Sequence, residues 1–272
     1  MSYRSLTVEN QDGIAKVTLV GPGKGNAMGP DFWREMPLAF RALSEDESVR
    51  VIVLRGSGDH FSYGLDLMAM MTELGPLLSG APLASGRTKL LRLIERMQEA
   101  ANSVDECTKP VVAAIHGWCI GGGLDLISAC DVRIASEDAK FSLREVKIAM
   151  VADMGSLQRL PHIIGEGHTR ELALTGKNID AKRAREIGLV NDVVASPEAL
   201  WTAADALAKD IAANPPLVVQ GIKEVMREGQ NKSTREALHL VAVWNSAFLQ
   251  SNDLGEAINA YAQKRPGNFK GE

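Results

Sequence analysis

Aromatic residues are scarce in this 272-residue chain, at 5%, and net charge is small, at −4. The first shortage argues against a surface that stacks bases. The second removes any general attraction to nucleic acid. Cysteine is sparse as well, with Cys107, Cys119 and Cys130 alone. An odd number, without a C-x-x-C pair or a nearby histidine pair, fits reduced thiols in the cytosol better than disulfides or zinc. The histidines, His60, His116, His162, His168 and His239, show no H-E-x-x-H spacing, so no metal site is expected. No stretch is apolar and long enough to span a bilayer. Met1-Ser2-Tyr3-Arg4 lacks a signal-peptide pattern, and Phe269-Lys270-Gly271-Glu272 is not a peroxisomal tripeptide. The expectation is a cytoplasmic protein with neither membrane nor nucleic acid as partner.

What remains is an ordinary globular composition, 45% hydrophobic and 24% charged. Residues 14–20 alternate and are β-rich, which predicts a strand. A glycine-rich loop follows, Gly21-Pro22-Gly23-Lys24-Gly25-Asn26, and Pro30-Asp31 opens a helix through Phe32, Met36, Phe40 and Leu43. The loop matches neither G-x-G-x-x-G nor a P-loop, and its proline removes an N–H donor. Residues 49–54 and 111–115 read as buried strands, 132–135 as another, and 124–130 as a short buried helix. From 88 onward, Leu90, Leu91, Leu93, Ile94, Met97, Ala101 and Val104 share a helical face. Residues 72–86, rich in Gly, Pro and Ser, predict a mobile segment or lid.

The order of elements indicates an α/β layered fold. From about Pro197 the pattern is almost all helical, in pieces 199–213, 217–227 and 234–249. The last piece carries Leu238, Val241, Ala242 and Phe248 on an apolar face. The chain therefore divides into a core, 1–196, and a C-terminal helical region, 197–272, of the kind that often packs against another subunit.

Chemistry concentrates in the middle. Asp125 follows Gly121-Gly122-Gly123-Leu124, and Glu145 and Asp153 come soon after in mostly apolar sequence. Each acid has a plain structural role open to it. Asp125 suits a first helical turn, Glu145 a surface pair with Arg144 or Lys147, and Asp153 an N-cap before Gly155-Ser156-Leu157. Grouped carboxyls in apolar surroundings are instead how enzymes move protons. The glycine run between a strand and a helix start can offer a backbone N–H to an anion. Phe61-Ser62-Tyr63-Gly64-Leu65-Asp66 is a second loop that can do the same, and two such donors make an oxyanion hole.

The stretch Ile115-His116-Gly117-Trp118-Cys119-Ile120-Gly121-Gly122-Gly123-Leu124-Asp125-Leu126, with Cys130-Asp131-Val132-Arg133-Ile134-Ala135, resembles the signature of the crotonase (enoyl-CoA hydratase/isomerase) superfamily. Gln158-Arg159-Leu160-Pro161 and the tail from Glu256-Ala257-Ile258 to Lys264-Arg265-Pro266 fit the same family. The resemblance covers nearly the whole chain. It implies a spiral of repeated ββα units, a C-terminal trimerisation region giving a homotrimer or a dimer of trimers, and acyl-CoA substrates. No cofactor is implied beyond the coenzyme A of the substrate. It implies that the N–H groups of Leu65 and Gly122 hold the thioester oxygen. Asn26, Ala27, Met28, Gly64, Asp66, Leu67 and Gly121 would line the coenzyme A path, and Lys264 would reach a neighbour's coenzyme A.

Hydratases of the family usually carry glutamate where Asp125 stands and glycine where Asp153 stands. The combination here is similar to the Δ3,5-Δ2,4-dienoyl-CoA isomerase branch. That resemblance implies Glu145 as base at C2, Asp153 as acid at C6, and Asp125 tuning Glu145. Hydration of a 2-enoyl-CoA by Asp125 and Glu145 is the alternative. Family members that only bind or scaffold would be expected to lose the acids, and this chain keeps three.

Overall fold

The computed structural model describes residues 2–79 and 83–272. Two strands open the chain, β1 (Leu6–Gln11) and β2 (Ile14–Leu19), joined by a tight turn into an antiparallel pair. Helix α1 (Pro30–Glu45) follows. Pro30 at its first position suits it, because the missing N–H there has no intrahelical partner. Phe32, Met36, Phe40 and Leu43 fall on one stripe and are buried. The Glu35 carboxylate accepts the N–H of Ser5 at 2.9 Å and the Ser5 hydroxyl at 2.6 Å, which pins the start of β1 to this helix.

Strand β3 (Val51–Gly56) leads to α2 (Leu67–Leu78) and α3 (Ala84–Asp105). Strands β4 (Val111–Ile115) and β5 (Trp118–Ile120) precede the short α4 (Gly122–Ser128). Strands β6 (Val132–Ser136) and β7 (Lys140–Ser142) run into a 3-10 turn, Glu145–Ile148, and then α5 (Ser156–Thr175). Strand β8 (Ile179–Asp180), α6 (Ala181–Glu186) and β9 (Asp192–Val194) close the core. Four helices follow: α7 (Pro197–Ala212), α8 (Pro216–Gly229), α9 (Thr234–Phe248) and α10 (Asn252–Gln263).

The larger sheet has the order β1-β2-β3-β4-β6-β9, and β5, β7 and β8 form a smaller one. From β2 to β9 the large sheet is parallel. Its central strands are apolar on both faces, as a strand covered on both sides must be. Ile52, Leu54, Val111, Ala113 and Ile115 face the main core with α1 and α3. Val51, Val53, Val112, Ala114 and Ile134 face Leu200, Ala204 and Ala208 of α7. Strand β4 is what carries the chain to the site. It ends at Ile115, and β5 then delivers the glycine run directly into α4.

Two expectations change here. Residues 72–78 are not irregular but the body of α2, whose N-cap Asp66 accepts the Ala69 N–H at 2.9 Å. Helix α3 begins at Ala84, so 84–86 are helical too, while residues 80–82 of that segment lie outside the described residues. The helices of the tail are four rather than three. Helix α9 buries none of its residues, leaving Leu238, Val243 and Phe248 exposed. An apolar groove between α8, α9 and α10, lined by Ile222, Trp244 and Phe248, lies apart from the three acids.

Candidate active site

The glycine run takes its shape from backbone constraints. Gly121 has φ +52 and Gly64 has φ +75, left-handed values that favour glycine. A Cβ on Gly64 would stand 2.6 Å from the Ile120 carbonyl oxygen and 2.8 Å from the Gly122 nitrogen, so the two loops approach as closely as glycine alone permits. The Met28 N–H donates to the Gly64 carbonyl at 2.7 Å, and the Asp66 N–H donates to the Met28 carbonyl at 3.1 Å. Segment 26–28 and segment 64–66 thus run side by side. Among the described residues, neither the Leu65 nor the Gly122 N–H is spent on a protein acceptor.

The three acids converge on one cavity of about 400 Å³. Asp125, Glu145 and Asp153 line it together with Gly121, Gly122 and Leu65, and Leu74, Leu90, Ile94 and Met97 supply an apolar wall. Glu145 comes from the 3-10 turn. Its Oε1 would lie 2.9 Å from a Cβ on Gly121, which sets the carboxyl against the glycine run. Its Oε2 is buried without a hydrogen-bond partner, Arg144 donates to Asn178 instead, and among the described residues no ion pair joins Glu145 to Lys147. The surface-pair role is therefore excluded. An acid in this state is costly to ionise. Burial first, then the nearby Asp125 charge, pushes the Glu145 carboxyl up to about 7.

Asp125 projects from the first turn of α4 and is almost fully buried. It accepts the Ser156 N–H at 2.8 Å, so it satisfies the first donor of α5 rather than of its own helix. Burial pushes its carboxyl up to about 6, against the pull of Ser156. Asp153 is half-buried on the irregular segment before α5, and burial raises it too, against the pull of its own backbone N–H. It does not cap α5. The N-cap is Gly155, and no side chain serves it.

Other expected residues are placed differently from the three acids. Asn26 lies beside the cavity loops, but its amide is engaged by the fold, donating to the carbonyls of Ser57 at 2.9 Å and His60 at 2.8 Å. The Asp66 carboxylate is committed to the α2 cap. Leu67 lines the cavity, Met28 packs under Gly122, and Ala27 sits between Asn26 and Met28 on the neighbouring segment. Lys264 is exposed at the C-cap of α10 and does not line the cavity of its own chain. Sequence reasoning did not single out Tyr63, Trp33 or Met150 as lining residues. Tyr63 had a signal, since it precedes Gly64 in the second loop.

An α/β fold that gathers three carboxyls, buried or half-buried, around one largely apolar cavity defines an enzyme fold suited to proton transfer on an apolar substrate. Residues 9–272 match the family model described as enoyl-CoA hydratase/isomerase. The chain is 40% identical to the mitochondrial Delta(3,5)-Delta(2,4)-dienoyl-CoA isomerase of Dictyostelium discoideum, over 98% of this chain and 92% of that protein. It is 41% identical to the peroxisomal Delta(3,5)-Delta(2,4)-dienoyl-CoA isomerase of Arabidopsis thaliana, over 98% of both. The crystal structure of the enoyl-CoA hydratase from Bacillus anthracis superposes with a TM-score of 0.89 at 30% identity, over 99% of this chain and 100% of that one. The chain belongs to the enoyl-CoA hydratase/isomerase family, and its fold is the crotonase spiral.

Proposed function

We propose that the protein is a dienoyl-CoA isomerase, converting a 3,5-dienoyl-CoA to the 2,4-dienoyl-CoA. The observation that carries the reading is the presence of Asp153 in the same cavity wall as Glu145. The relatives from Dictyostelium and Arabidopsis, named for this reaction, support it.

The chemistry follows from the substrate's own electronics. The thioester acidifies the C2 protons, because the resulting carbanion delocalises onto the carbonyl oxygen. The N–H groups of Leu65 and Gly122 stabilise that oxygen, each by about 3 kcal/mol. Glu145, seated against Gly121, removes a proton from C2. The negative charge spreads through both double bonds to C6. Asp153 delivers a proton there, leaving C2=C3 and C4=C5. Glu145 then holds one proton and Asp153 lacks one, and exchange with solvent restores both.

This assignment requires Glu145 ionised while Asp153 is protonated. Burial raises the Glu145 carboxyl to about 7, so it ionises near neutral pH. Desolvation is also the cause that raises the Asp153 carboxyl. The three carboxyls titrate as a coupled set.

The substrate brings its own coenzyme A, and no further cofactor enters these steps. The exposed apolar residues of α8 to α10 support assembly as a homotrimer or a dimer of trimers, with Lys264 free to meet a neighbour. No helix among the described residues is long and apolar enough to cross a membrane. Three free buried cysteines suit a reducing compartment, for which the cytoplasm is our reading, whereas the named relatives are mitochondrial and peroxisomal.

The test is an absorbance assay with a 3,5-dienoyl-CoA and a 2-enoyl-CoA side by side. Conjugation of the first is the expected result. Rapid hydration of the second with no conjugation of the first would replace this reading with that of a hydratase.

A further inference from the structure

Asp153 stands on a stretch with little support of its own. Residues 149–155 connect the 3-10 turn to α5. At one end the Met150 N–H donates to the Glu145 carbonyl at 3.0 Å, and beyond the other the Ser156 N–H donates to Asp125. Between them the backbone is neither helix nor strand, and Val151 is 75% exposed. The Asp153 backbone itself is held by a hydrogen bond from α3. Gln98 Nε2 donates to the Asp153 carbonyl at 2.8 Å. Further along α3, Asn102 and Asp105 accept from the Arg159 guanidinium at 2.9 and 3.4 Å. Positions 98, 102 and 105 share one helical face. They form a polar seam along segment 153–159. The neighbouring face of the same helix, with Leu90, Ile94 and Met97, walls the cavity.

We propose that Gln98 is a positioning residue for proton delivery by Asp153. Its amide fixes the Asp153 backbone to the helix that contacts the acyl chain, and so sets the reach of the carboxyl to C6. The inference rests on the isomerase reading above. Proton transfer requires the donor within hydrogen-bond reach of the accepting atom. A misplacement of about 1 Å can cost about 100-fold in rate. Gln98 bonds to the Asp153 main chain and not to its carboxyl, and among the described residues no hydrogen bond joins it to Glu145 or Gly122. Its loss therefore separates the two proton transfers, slowing the second while sparing the first.

That separation can be read in one tube. Wild type, Gln98→Leu and Gln98→Met are each given a 3,5-dienoyl-CoA in D2O. Loss of C2 protium from unreacted substrate reports the Glu145 step, and formation of 2,4-dienoyl product reports completion at C6. The ratio of exchange to product is a property of the folded molecules, so partial unfolding does not move it. Both Gln98 variants are expected to lose about 10- to 100-fold in product formation while C2 exchange persists, raising the ratio by a similar factor. Asn102→Leu, which removes a partner of Arg159 without touching Asp153, is expected to lower Tm and leave the ratio at the wild-type value. An unchanged ratio in the Gln98 variants, or an equal rise in Asn102→Leu, overturns the proposal while leaving the isomerase reading in place. Failure of the wild type to conjugate the dienoyl substrate removes that reading, and this inference with it.

Discussion

The Asp125 carboxylate accepts the Ser156 N–H at 2.8 Å, joining the end of the glycine run to the start of the helix that follows Asp153. One buried acid therefore has two tasks. It holds α4 to α5, and its charge raises the pKa of Glu145. The two tasks separate by substitution. Asp125→Asn keeps an acceptor for Ser156 but removes the charge. Tm is expected to stay close to that of wild type, while the rise of activity with pH moves to lower pH because Glu145 ionises more easily. Asp125→Leu loses both and leaves a buried N–H unpaired, costing about 1–3 kcal/mol. Thermal melts and pH–rate profiles of the two variants make the comparison.

Glu145 should carry a stability cost that depends on pH. Its folded pKa is about 7 against an ordinary 4.5. The folded state thus binds the proton more tightly than the unfolded chain. The stability this gives is fully present below 4.5 and is lost as pH climbs through about 7. Glu145→Gln removes the cost, which is on the order of 3 kcal/mol at full ionisation. Its Tm at pH 8 is expected to exceed that of wild type by several degrees, with the gap closing toward pH 4. Isomerase activity is expected to fall by about 10²- to 10⁴-fold, the usual worth of a general base. Melting curves across that pH range check the first statement, and steady-state rates the second.

Much of this site was readable before the fold was known, and the reasons are physical. A glycine run that needs positive φ at Gly121 leaves its mark in sequence, and an acid fixed four residues later shares its turn. The family pattern reaches across these residues and gives the spiral topology that periodicity alone does not. Other features left weaker marks. Gly75 and Pro76 made the end of α2 look like a loop, although both fall in the last turns of a helix already capped by Asp66. Asp153 resembled a cap because its neighbours suit a helix start, yet Gly155 occupies the cap position. Asn26, expected along the coenzyme A path, bonds through its amide to carbonyls distant in sequence. Gln98 is on the polar face of an amphipathic helix, where sequence cannot distinguish solvent from an irregular segment packed on the same face.

Gly64 tests the close approach of the two loops. Gly64→Ala places a methyl 2.8 Å from the Gly122 nitrogen, on backbone already left-handed. The loops must part, and the oxyanion hole proposed for the Leu65 and Gly122 N–H groups opens with them. Activity is expected to drop by about 10²- to 10³-fold, as when an oxyanion donor is removed. C2 exchange should fall by the same factor as product formation, because the enolate precedes both. A drop in product formation with exchange preserved would place the damage at Asp153 instead.

The assignment of Asp153 as the acid at C6 meets its most direct test in Asp153→Asn, assayed with a 3,5-dienoyl-CoA in D2O. The expected result is a loss of about 10²- to 10⁴-fold in 2,4-dienoyl product, with C2 deuterium exchange by Glu145 retained. Product formation at the wild-type rate would contradict it.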